Sequence, residues 1–284
     1  DGLTVQTTLE RELSAWPTET SALSIREEAL SALAYLGDGQ TMARGAQRGE
    51  MARLVKSIRA LQDRDTLRFV ADGKPDDAKS DPVLDHLLAT LAITEVYGLD
   101  HSILLRTTAQ NGLRYLEALL ADPVGVSPWS DGALLVAIEL DDTARAARLR
   151  FDVDGRLQAE ARKRATARPL SLLAMAASVH TTPAGPEREA LANELVTALM
   201  DTLLAGDDAA VLEVLLRDPA RARQVWWIAD ALHAVGGPSW AKFELRRQAW
   251  LPKLPPASAG SSREARAALL LVLEAPFRLG PPER

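Results

Sequence analysis

The feature that most restricts this chain's fold is the alternation of two kinds of helical segment. Six stretches are apolar almost all round and rich in Ala: Ala29 to Leu36, Leu87 to Ile93, Ala133 to Ile138, Leu170 to Ala177, Val225 to Leu232 and Ala267 to Leu273. Between them run amphipathic stretches with one charged face, such as Arg53 to Leu61 and Asn111 to Leu119. A helix that is apolar all round has to be covered on all sides, and small Ala side chains let helices approach closely. The six segments therefore belong inside and the amphipathic ones outside. The inner segments recur at roughly 40 to 60 residues, the period of a two-helix repeat. Neither end of the chain carries a clearly polar capping helix, which favours a closed ring of inner and outer helices over an open superhelix.

Apolar residues at three- and four-residue spacing predict helices over 4–16, 21–36, 49–63, 82–98, 103–121, 130–148, 156–166, 169–180, 186–204, 207–217, 221–235, 238–251 and 261–275. The alternating signature of strands is missing. The expected fold is all-α, an (α/α) toroid of about five or six helix pairs, forming one domain over 1–284. Turn chemistry separates the helices at Gly37-Asp38-Gly39, at the polar loop Asp72 to Pro82, at Ala121-Asp122-Pro123 with Gly125, and at Gly236-Gly237-Pro238. A loose Pro/Ser loop spans 252–262. It is not a domain linker, because Leu269 to Leu273 beyond it need partners to cover them.

Composition removes several functions. At 47% hydrophobic and 25% charged residues the chain can bury a large core. Its net charge of −6, with Lys and Arg scattered, supplies no footprint for a phosphate backbone, so no nucleic acid partner is expected. Zero cysteines rule out disulfides, Cys-ligated zinc, iron–sulfur clusters and a thiol nucleophile. His101, His180 and His233 have no second ligand at helical spacing, and neither metal nor cofactor is expected. No apolar run reaches the roughly 18 residues that span a bilayer.

Three segments carry a family resemblance. Ser31 to Thr41 reads Ser-Ala-Leu-Ala-Tyr-Leu-Gly-Asp-Gly-Gln-Thr, Asp85 to Gly98 is an Asp-His-Leu-Leu-Ala helix ending in Tyr-Gly, and the Trp226 to Gly237 segment is followed by Trp240. Together they resemble inner helices of bacterial proteins with prenyltransferase and squalene-oxidase type repeats, built on the terpenoid cyclase (α/α) toroid. The resemblance runs over most of the chain and implies that fold. The family's Gln-Asn/Asp-Pro-Asp-Gly-Gly turns survive only as remnants such as Leu61-Gln62-Asp63, and its fourth-helix Trp is replaced near Ala133. This is the pattern of a fold kept while its cavity chemistry was lost. The family includes exported and membrane-anchored proteins, and a chain that begins at Asp1 rather than Met fits a periplasmic or extracytoplasmic domain of a larger or processed protein.

Each reaction known for the toroid can be tested on its residues. The prenyltransferases that this architecture resembles hold zinc partly through Cys, which this chain lacks. Class II terpene cyclases use Asp-x-Asp-Asp-Thr-Ala, against Glu139-Leu140-Asp141-Asp142-Thr143-Ala144 here. The resemblance would make Asp141 the general acid, with Glu139 or Asp142 tuning it. Against that role, aromatic residues are only 5% of the chain, too few to wall a carbocation cavity. Asp141 also lies roughly 16 Å along a helix that begins near Ser130. Finally, Asp-Asp-Thr before Ala144 to Arg148 reads as a helix start whose side chains cap free N–H groups. No catalytic residue is therefore assigned.

The candidates for ligand or partner binding are Tyr35, Asp85, His86, Trp129, Trp226, Trp227 and His233. The competing structural roles are a helix cap for Asp85, packing at the ring mouth for His86 and core filling for the Trp pair. Arg162-Lys163-Arg164 and Arg246-Arg247 read as solvated outer faces. The sequence favours a non-catalytic toroid that binds or scaffolds a protein partner. The alternatives are an isoprenoid cyclase-like enzyme centred on Asp141 and a binder of an apolar small molecule in a Trp- and Leu-lined cavity.

Overall fold

The computed structural model describes residues 2–14, 16, 23–70, 81–122, 129–153, 155–166, 171–255 and 262–278. Most of the predicted polar loop 72–82, the Pro123 to Gly125 turn and 256–261 of the Pro/Ser loop lie outside the described residues. The described residues form thirteen α-helices and no strand: α1 (Gly2–Ser14), α2 (Ile25–Gly37), α3 (Arg48–Ala60), α4 (Pro82–Asp100), α5 (Ile103–Ala121), α6 (Asp131–Ala146), α7 (Arg156–Ala165), α8 (Leu172–Thr181), α9 (Pro186–Asp201), α10 (Asp208–Arg217), α11 (Pro219–Val235), α12 (Gly237–Trp250) and α13 (Arg263–Arg278). Each sits where the apolar periodicity places a helix.

Helix starts follow from local chemistry. Ser24 and Glu27 form a reciprocal capping box on α2. Asp81 caps α4 and Asp218 caps α11, each followed by Pro at the first helical position, where a missing N–H costs nothing. Ser130, Ser171 and Asp207 cap α6, α8 and α10.

The chain divides into two compact units, one of Glu19–Glu160 and one of Asp1–Thr18 with Ala161–Arg284. In the first, α4 lies at the centre, packed against α2, α5 and α6, while α3 backs α2. Leu87, Leu88, Ala89, Leu91, Ala92 and Ile93 of α4 are fully buried, as its all-round apolar sequence requires. In the second, α11 is central between α8 and α13, with α9, α10 and α12 also packed on it and α1 on α13. Within each unit the Ala-rich segments of α2, α4, α6, α11 and α13 are thus buried, whereas Leu172, Leu173 and Met175 of α8 stay half-buried.

Candidate functional site

The Asp141 motif lies near the C-terminal end of α6. Ser130 starts that helix by accepting the Ala133 N–H at 3.1 Å, and the helix continues without a break to Ala146. The expected helix start at Asp141-Asp142-Thr143 is therefore corrected. No Gly or Pro follows Gly132 in the run, so these N–H groups are spent in an existing helix and nothing is left to cap. Two carboxylates near a C-terminus face the negative end of the helix dipole. Arg145, one turn on, offsets them, with Nη2 at 2.8 Å from Asp141 Oδ2 and Nη1 at 3.4 Å from Asp142 Oδ1. Asp141 is 8% exposed, whereas Asp142 and Arg145 stand in solvent. Glu139 is half-buried on the same helix, and its carbonyl accepts from the Thr143 hydroxyl at 2.9 Å.

Beyond α6 the backbone reverses through Arg148 in the left-handed region, φ 56°, with the Leu149 N–H returning to the Ala144 carbonyl at 2.9 Å. The returning segment and the first turn of α7 enclose a pocket of about 360 Å³ against α6. Asp141, Arg145, Phe151, Asp152 and Gln158 line it, with Leu149, Val153 and Gly155 completing the wall. Gln158 Oε1 is buried and accepts no hydrogen bond from the described residues. With Asp141, Asp152 and Gln158 among its lining residues, the pocket suits a donor group, and its volume lies at the small end of the range of ligand sites.

The other candidates separate. Asp85 and His86 are adjacent but serve different neighbours. Asp85 receives a 2.6 Å hydrogen bond from Arg26 Nε on α2. It does not cap α4, because Pro82 sets the start and leaves the cap to Asp81, whose Oδ1 accepts the Leu84 N–H at 3.0 Å. His86 is fully buried. Its Nδ1 accepts the Phe69 N–H at 3.1 Å, and its Nε2 lies 3.1 Å from the Gly112 carbonyl, so the neutral Nε2–H tautomer satisfies both contacts. Burial pushes its pKa down to about 3. A neutral imidazole with both nitrogens engaged is a core residue, held edge-on to Tyr115 at 4.5 Å between ring centres.

Tyr35 and Trp129 are buried in the same unit. Trp226, Trp227 and His233 belong to α11 in the other unit. The two tryptophans tilt against each other at 5.9 Å, and His233 meets the Trp240 ring edge-on at 4.8 Å. All three are at most 4% exposed, which makes them core side chains. Sequence reasoning missed Phe151, Asp152 and Gln158 in the pocket, along with Phe69, Gly112 and Tyr115 around His86. Only Gly112 had signalled itself, as a glycine inside an amphipathic helix.

Among the described residues no group of three or more His, Asp and Glu could hold a metal ion, and no helix is long and apolar enough to cross a membrane. Compared with models of known families, curated proteins and solved structures, the chain matches none of them.

Proposed function

We propose that the chain is a non-catalytic helical scaffold for a protein partner, and that the pocket beside α6 receives a cationic side chain of that partner. The observation that supports this reading is a pocket of about 360 Å³ lined by Asp141, Asp152 and Gln158, side chains rich in acceptor oxygens. Interfaces concentrate their energy in such partly enclosed anchor pockets, and Arg is a preferred anchor. The groups a reaction would draw on are already engaged: Asp141 is paired with Arg145, and His86 is locked in the core. The (α/α) toroid implied by the repeat resemblance is part of the same proposal, supported within each unit by inner helices backed by amphipathic ones.

The test is a photo-crosslinking residue at Phe151, in cells that make the protein. A discrete protein adduct, lost on Gln158→Ala or Asp141→Asn, is the expected result. Adducts that form equally well from a crosslinker at Leu245, or that survive both substitutions, would sink the proposal.

A further inference from the structure

Of the six large hydrophobic residues that stand exposed among the described residues, three lie together where α4 turns into α5: Leu99 at 58%, Ile103 at 76% and Leu104 at 60%. Only His101 and Ser102 link these helices, so the three side chains crown a tight hairpin. Two further loops meet this end of the unit. The Met42 N–H of the α2–α3 loop donates to Asp100 Oδ2 at 3.2 Å, and the end of α6 abuts Gly98, where an added Cβ would sit 3.6 Å from Ala147 Cβ. The segment after α6 is held to α5 by paired hydrogen bonds between Gln110 and the Arg150 backbone.

The loops that meet this end carry Arg44, Arg148 and Arg150, and the first turn of α5 carries Arg106, all exposed and none in an ion pair with a described residue. Of the neighbouring carboxylates, Asp141 and Asp142 share Arg145, and Asp100, which accepts the Met42 N–H, keeps its negative charge. In a chain of net charge −6 this end gathers four exposed arginines without ion-pair partners among the described residues, and it carries apolar side chains at its tip.

We infer that the α4–α5 hairpin docks on an anionic lipid surface, with Leu99, Ile103 and Leu104 entering the interface and the four arginines resting on headgroup phosphates. Charge complementarity selects an anionic occupant. Shape selects lipid over protein, because a projecting turn needs no matching hollow in a fluid interface, whereas a protein partner would have to supply one. The proposal is independent of the pocket beside α6.

Flotation with vesicles of phosphatidylcholine alone, or mixed with phosphatidylglycerol, tests it. The chain is expected to float with the mixed vesicles at low salt, to dissociate as salt rises and to stay behind with phosphatidylcholine alone. Each basic residue at an anionic surface is worth about fivefold in partitioning, so the fourfold change of Arg44, Arg106, Arg148 and Arg150 to Gln should weaken binding by about 100-fold or more. Ile103→Asp with Leu104→Asp should weaken it by about tenfold or more, while Leu245→Asp in the other unit leaves it unchanged. All these positions are exposed, and circular dichroism verifies that each variant is folded. Equal flotation with neutral vesicles, no flotation with anionic ones, an aspartate pair that binds like the parent, or a Leu245→Asp that binds as weakly as the pair would each overturn the inference.

Discussion

At the scale of single residues, His101 and Arg148 take left-handed backbone, φ 51° and 56°, at helix ends where glycine is the common choice. That conformation costs a side-chain-bearing residue roughly 1–2 kcal/mol, part of which glycine returns through its freer unfolded chain. Arg148→Gly should therefore stabilise the fold by about 0.5 kcal/mol while weakening flotation with anionic vesicles. Urea midpoints and flotation on one variant check both halves, and a purely structural arginine would show only the first. Gly112 presents the opposite case. An added Cβ would fall 2.6 Å from Thr90 Oγ1 and 2.8 Å from its Cγ2. Gly→Ala inside a helix normally gains up to about 1 kcal/mol. Here the overpacking should win and cost about 1–2 kcal/mol. Adding Thr90→Ala should recover part of that loss, and a double-mutant cycle measures how much.

Among the elements, a buried ion pair joins α1 to α13. Glu12 and Arg266 are 1% and 3% exposed, and the guanidinium also donates to the Pro255 carbonyl at 3.0 Å. Removing one partner strands the other charge away from water, so Glu12→Gln should cost about 3–5 kcal/mol. Replacing both residues with apolar ones should cost much less, as thermal melts of the single and double variants would show. Helix positions were legible in the sequence because inner and outer segments differ in composition all along the chain, and because caps such as Ser24, Ser130 and Asp218 are local signals. Asp141-Asp142-Thr143 misled for the same local reason: its composition is that of an N-cap, and only the absence of a breaker between Ala133 and Leu140 shows that a helix is already running. The pocket was not legible, since its wall depends on a reversal at Arg148, a residue type that rarely marks one. Nor were the partners of His86, which stand 17 and 26 residues away in the chain.

For the molecule as a whole, the fully buried His86 and the half-buried His180 set a pH dependence. Burial holds His86 down at about 3 and His180 at about 4, against an ordinary 6.5. Below that ordinary value the unfolded chain takes up protons that the native state refuses, so stability should fall steadily as pH drops from about 6.5 towards 3. Denaturant midpoints across this range should show the slope, and His86→Asn should flatten it. A stability that rises on acidification would contradict the neutral, buried assignment.

The enclosure of α4 by α2, α5 and α6 has a kinetic counterpart. Its central amides have no route to solvent through local fraying, and only the opening of its whole unit exposes them. In deuterated buffer they should be the last protons of that unit to exchange, at a rate reporting its global opening, with α11 as the matching clock in the other unit. If both clocks slow by the same factor when either unit is stabilised, the chain opens as one cooperative body. If they slow separately, it opens as two.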